Sequence, residues 1–175
     1  MDISKNYFEF IGLPVSYHLD RSELSDRSRD LQKTLHPDRY AHLSDHEQRV
    51  AVQYMAYLNE AVATLKTPLL RAQYLLQLQD IDTTNESSTP MDPMFLMQQM
   101  ELRERLEEVA SASEPFEELE ELNEEVASML DRLRTTFVEH YEANDLSAAT
   151  SDVRKMQFLE KLVLEIERLE DKLED

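Results

Sequence analysis

Apolar residues recur along this chain every three or four positions, the period of amphipathic helices. The recurrence is broken at a few prolines and capping residues. Tyr7, Phe8, Ile11 and Leu13 form a first short cluster, closed by Gly12 and Pro14. Asp20 stands where an N-cap belongs, with Glu23 three residues on as its reciprocal partner. Leu24, Leu31 and Leu35 follow on one stripe. Pro37 cannot extend that helix and pushes His36 out of helical geometry. A loop is predicted from there through Arg39 to Leu43. Ser44 and Glu47 make a second capping box, opening a helix whose inward side is Val50, Tyr54, Leu58, Ala61 and Leu65. Thr67-Pro68, an N-cap and a first-turn proline, starts a short helix through Leu75 and Leu78. The two longer helices are predicted to lie antiparallel, with His36, Pro37 and Asp38 at their tip.

Over residues 80–90, DIDTTNESSTP, the period disappears and Ser, Thr and Asn gather, which marks a linker. Three long helices follow. Asp92-Pro93 caps one running to about Ala112, Glu114-Pro115 opens one ending near Tyr141, and the last runs from Leu146 to Leu173. Leu119, Leu122, Val126, Met129, Leu133 and Phe137 form a seam on the second. Ala149, Met156, Leu159, Val163, Ile166, Leu169 and Leu173 form one on the third. Such seams predict a three-helix bundle. The expected organisation is all-α: a helical hairpin with short helices over 1–79, a linker over 80–91 and the bundle over 92–175.

Composition sharpens this picture. One glycine among 175 residues leaves little room for hairpins or phosphate-cradling loops. The absence of cysteine excludes disulfides, thiol catalysis and cysteine-ligated clusters held by this chain. No apolar run approaches the roughly 20 residues that span a bilayer. MDISKNYFEF reads as neither a signal nor a transit peptide, so the cytoplasm of a bacterium is the expected compartment, with a processed organellar protein as the alternative, and no membrane partner is expected. The net charge of −19 falls unevenly: residues 1–79 hold nine basic and ten acidic side chains, residues 80–175 nine and twenty-seven. An acidic surface repels phosphate backbones, so nucleic acid is not an expected partner. The asymmetry points to two modules with different partners.

KTLHPDRYAH, Lys33 to His42, carries the sharpest chemistry. By itself His36-Pro37-Asp38 reads either as helix punctuation or as a display site. His42 and His46 are four apart with His36 near, but they straddle the Ser44 cap and need not share a face, so no metal site is expected. A metal-dependent hydrolase using these histidines with Asp38, and a passive helical spacer, are the rival classes. The triplet stands between two capped helices, the second followed by LNEAVATLKTPLLRAQYLL (Leu58–Leu76). That combination resembles a J-domain, the module by which J-type co-chaperones engage DnaK-type ATPase chaperones. The resemblance implies that His36, Pro37 and Asp38 contact the chaperone. It also implies a basic face on the preceding helix, for which Arg27, Arg29 and Lys33 are candidates, with Arg39 past the loop. Asp26 and Asp30 are interleaved, so the face is mixed.

The first bundle helix has two apolar stripes. Phe95, Leu102, Leu106 and Val109 suit a core. Leu96, Met97 and Met100 lie about 140° away, and their row continues through Glu101, Glu104 and Glu108. The residues alone leave two readings for this second stripe: packing against a neighbouring helix, or an exposed methionine-rich recognition patch with an acidic border. The whole chain, through RAQYLL, FLMQQMELRERL and VRKMQFLEKL, is similar to the HscB-type co-chaperones of iron–sulfur cluster assembly. In that family a J-domain is joined to an acidic three-helix domain that binds the cluster scaffold protein (IscU-type). The resemblance implies that Leu96, Met97, Met100, Glu101, Glu104 and Glu108, completed by Phe158, contact the scaffold. It further implies an HscA-like DnaK-type chaperone as the other partner, with ATP belonging to that chaperone, and neither cofactor nor metal in this chain. A J-protein with another client is the rival within the class. Some eukaryotic members add an N-terminal cysteine-containing extension. This chain opens on the J-domain, so a bacterial form is expected.

Overall fold

The computed structural model describes residues 3–84 and 91–175. Among them every regular element is helical. The chain divides into two compact units, Met1–Asp80 and Ile81–Asp175.

In the first unit α1 (Tyr7–Ile11) is closed by Gly12, whose φ of +88° is left-handed and accessible to glycine at little cost. A Cβ there would meet the Arg27 guanidinium at 2.8 Å. α2 (Arg21–Leu35) begins at Asp20, whose carboxylate accepts from the amides of Ser22 and Glu23. Glu23 was expected to complete a capping box; its carboxylate instead accepts from Arg27 Nε at 3.0 Å, an i,i+4 pairing. α2 packs on α3 (Asp45–Lys66), and Arg21 at the start of one reaches the Lys66 carbonyl at the end of the other, so the two run antiparallel as predicted. The Ser44–Glu47 capping box forms in both directions. α4 (Pro68–Gln77) follows, but Thr67 does not cap it with its side chain. The Thr67 hydroxyl donates back to the Ala63 carbonyl, the usual alternative for threonine near a helix end.

Leu24, Leu35, Leu58, Ala61, Leu65, Leu75 and Leu76 line the core of this unit, with Phe8 at its floor. Ala51, not Val50, is the buried residue in the first turns of α3. A ring cluster ties α1 to the rest. Tyr7 stacks on Tyr74 at 4.4 Å and meets Tyr57 edge-on at 5.1 Å, and the Tyr74 hydroxyl accepts from the Tyr7 amide. Burial, then the nearby Glu60 carboxylate, push the Tyr7 phenol up to about 12.

In the second unit α5 (Pro93–Val109), α6 (Pro115–Glu142) and α7 (Leu146–Glu174) form the bundle. Proline at the first position of α5 and α6 matches its preorganised φ and missing N–H. α6 and α7 run antiparallel, joined by Arg134–Glu160 at 3.4 Å and His140–Asp152 at 2.6 Å. Asp152 is buried; burial pushes its carboxyl up, and the His140 hydrogen bond offsets that rise only in part. The seams shift from the expected ones. Leu130 is buried while Met129 and Leu133 are half-buried, and Val153 and Leu162 are buried while Val163, Leu169 and Leu173 are half-buried. Leu106 is likewise half-buried and Gln99 is buried in its place. Each bundle helix faces two neighbours, so its buried stripe is set between two contacts and not by one apolar row. Of the expected linker, residues 85–90 lie outside the described residues. Thr83 is buried in the second unit, its carbonyl accepting from Gln157 Nε2 at 2.9 Å.

Candidate functional site

The His36-Pro37-Asp38 segment is built outward from a buried anchor. Leu35 closes α2 in the core, and Pro37 forces the chain out at His36, where φ is −57° and ψ 131°. The expected loop over Arg39–Leu43 is a 3-10 turn, Pro37–Tyr40, followed by a bend. Pro37 has no amide hydrogen to satisfy, and the Arg39 amide closes the turn on the His36 carbonyl at 3.0 Å. The Asp38 amide donates to His36 Nδ1 at 3.2 Å. The Tyr40 hydroxyl donates to the Thr34 carbonyl at 3.2 Å, and Gln48 Nε2 donates to the carbonyls of Ala41 and Leu43, each at 3.1 Å. The hydroxyl of Ser44, then its amide, donates to the Glu47 carboxylate and holds that group below the ordinary carboxylate range. The segment is thus stitched at both ends while its centre faces solvent. The His36 side chain is 56% exposed and that of Asp38 91%.

The cations expected beside it have unequal freedom. Arg27 lies over Gly12 and is paired with Glu23. Arg29 stands 3.9 Å from Asp26. Lys33, in the last turn of α2, and Arg39, in the 3-10 turn, are exposed and flank the triplet. Among the described residues no group of three or more His, Asp or Glu side chains is placed to hold a metal. No helix there is long and apolar enough to cross a membrane.

On α5 the Asp92 carboxylate caps the helix by accepting from the Met94 amide at 3.1 Å. The buried stripe is narrow: Phe95, Gln99, Leu102 and Val109. Everything on the far side is in water. Leu96 is 40% exposed, Met97 64% and Met100 61%, which decides between the two readings of that stripe in favour of an open ridge. Glu101, Glu104 and Glu108 are exposed along the same row. Met94, 73% exposed and three residues before Met97, extends the apolar part; the sequence reading missed it, although its i,i+3 relation to Met97 was visible. Phe158 is half-buried on α7, its ring 6.4 Å from that of Phe95, with Lys161 Nζ 5.9 Å from its centroid. The second unit therefore exposes flexible apolar side chains and three carboxylates along α5, with half-buried Phe158 on α7.

The family described as the HSCB C-terminal oligomerisation domain matches residues 91–167. A co-chaperone protein HscB homolog of Vibrio cholerae serotype O1 is 44% identical over 168 residues, which cover 96% of this chain and 98% of the relative. The chain belongs to the HscB co-chaperone family. Chaperone HscB from Vibrio cholerae, as a solved structure, superposes with a TM-score of 0.87 at 43% identity, covering 97% of this chain and 99% of that one. The human co-chaperone protein HscB gives 0.88 at 26% identity, with 97% of this chain and 84% of that one covered. The HscB-family fold, a J-domain joined to a three-helix bundle, is the fold described above. The protein is a J-type co-chaperone, and its helical hairpin with His36-Pro37-Asp38 at the tip is the J-domain.

Proposed function

We propose that this HscB-family co-chaperone is an adaptor of iron–sulfur cluster assembly with no catalytic chemistry of its own. Its J-domain, 1–79, presents His36, Pro37 and Asp38 to a DnaK-type, HscA-like chaperone and stimulates that partner's ATPase. Its bundle, 92–175, holds the IscU-like scaffold protein, and 80–91 links the two. The exposed carboxylate of Asp38 suits a charge-assisted bond to an arginine of the chaperone. Arg27, Arg29, Lys33 and Arg39 add a mixed but locally cationic border, with Lys33 and Arg39 the more available pair. Leu96, Met97, Met100 and Phe158 supply the apolar centre for the scaffold, and Glu101, Glu104 and Glu108 the charged rim.

The observation that carries this reading is the open Leu96–Met97–Met100 row on α5. A helix that served only to complete a bundle would gain by burying those side chains. Holding cargo and chaperone on one chain raises the effective concentration of each for the other. The coupling is reciprocal, so bound scaffold also tightens chaperone engagement. The cytoplasm is the compartment we propose for this work. The net charge of −19 leaves nucleic acid outside the partner list.

Steady-state ATPase of the chaperone, with scaffold and this protein added in turn, tests the reading. Stimulation by this protein alone and a further rise with scaffold are expected. No stimulation in either case sinks it.

A further inference from the structure

α5 is the shortest helix of the bundle, and its seventeen residues bury four side chains. Ion pairs tie it to its neighbours as well. Lys155 reaches Asp92 at 3.5 Å, Arg105 pairs with Glu125, and Arg103 Nη1 donates to both carboxylate oxygens of Glu165 at 3.1 and 3.0 Å. The Arg103–Glu165 pair holds a particular place. Arg103 is three residues past Met100 and adjacent to Glu104 on the open ridge. Glu165 follows Phe158 and Lys161 by seven and four residues, one continuous face of α7. The pair therefore bridges the two strips that make up the docking face, one from each helix.

We infer that Arg103 and Glu165 are positioning residues for scaffold docking: their ion pair fixes α5 against α7 so that the methionine row and Phe158 meet the partner as one surface. This rests on the docking reading of the ridge. The two side chains are 36% and 41% exposed, and an exposed pair adds little to fold stability. Its value lies in preorganisation, because a face already in register needs no ordering on binding. Arg103 also has the wrong sign for an acidic docking strip. Direct contact and positioning consequently predict opposite outcomes. If the ridge works by charge alone, Arg103→Glu strengthens attraction to a cationic partner. If Arg103 positions, the same change repels Glu165, splays the strips and weakens binding.

The test is calorimetric titration of the purified scaffold protein into the full chain carrying Arg103→Glu, Glu165→Arg, or both. Each single reversal is expected to weaken binding about tenfold, and the double exchange to restore it to within about threefold. Helicity and ATPase stimulation without scaffold stay unchanged. Arg103→Gln and Glu165→Gln, which introduce no repulsion, are expected to cost a few-fold each and serve if a reversal does not fold. Tighter or unaltered binding by Arg103→Glu, or no recovery in the double exchange, overturns the inference. Leu96→Ala with Met97→Ala is run alongside. If that variant also binds like the parent, the docking reading has failed; if it alone is weak, only the positioning role has.

Discussion

The tip of the J-domain hairpin and the ridge on α5 both hold the side chains proposed for partner contact in water, by different means. At the tip, short-range bonds do the work: His36 with Asp38, Tyr40 with Thr34, Gln48 with Ala41 and Leu43. No bonded partners there are more than seven residues apart. On the ridge, exposure follows from the phase of a helix whose other side is buried, and the helix is held by pairs up to 63 residues apart. The first arrangement is a property of a segment. The second is a property of an assembled bundle, and it fails if α5 rolls or slides.

The largest effect should separate the two regions outright. His36→Gln removes the ring that caps the turn, and stimulation of the chaperone ATPase is expected to fall to the basal rate. Scaffold affinity measured without chaperone should stay within about twofold, since the substituted residue lies in the other compact unit. Normal stimulation by this variant in a steady-state assay would remove the J-domain role from the triplet. Next comes the reciprocal experiment. Leu96→Ala, Met97→Ala and Phe158→Ala together are expected to cost more than about 2 kcal/mol of scaffold binding, as hot-spot residues do. The far-ultraviolet spectrum and scaffold-free stimulation should not change. Parental affinity with the helices intact would place the cargo elsewhere.

A smaller effect tests the rim. Glu101→Gln, Glu104→Gln and Glu108→Gln together should slow association several-fold at low salt and flatten its salt dependence, because rim charges steer encounter more than they hold the complex. An unchanged salt slope in stopped-flow association would exclude them from the encounter. The smallest effect concerns the J-domain floor. The Tyr7 phenol is raised to about 12, so its folded form resists deprotonation longer than the unfolded chain. Its stabilising contribution is complete below the unfolded tyrosine value near 10 and is lost as pH rises toward 12. Thermal unfolding between those values should show the parent losing stability faster than Tyr7→Phe. Parallel losses would mean that other groups carry the alkaline transition.

The same division explains what could be read from the sequence. Helix starts were legible where one residue type has a local mechanism, as at Ser44 with Glu47, Pro93 and Pro115. The helix break at Pro37 was legible for the same reason, whereas a role for the triplet came only from the resemblance to J-domains. The core phase of the bundle was less so. Leu130 and Met129 are adjacent and both apolar, and which of them is sealed depends on two neighbouring helices at once. Buried Gln99 and Asp152 carry no apolar signal, and Asp152 is accommodated by His140, twelve residues earlier. The Arg103–Glu165 pair and the seating of Arg27 over Gly12 are tertiary meetings that periodicity does not encode. On the ridge, the pattern raised an open face and a second packing seam equally. The exposure of Leu96, Met97 and Met100 separates them.

The bond between the Asp38 amide and His36 Nδ1 has one more consequence. An amide N–H can only give, so the nitrogen facing it must offer a lone pair, and the hydrogen of the neutral ring belongs on Nε2. The imidazole is thus a two-ended connector, its inner nitrogen closing the turn while its outer nitrogen presents a donor at a fixed angle. Asparagine can imitate the inner end and glutamine the outer one, but neither spans both, which gives the position a chemical reason to be histidine.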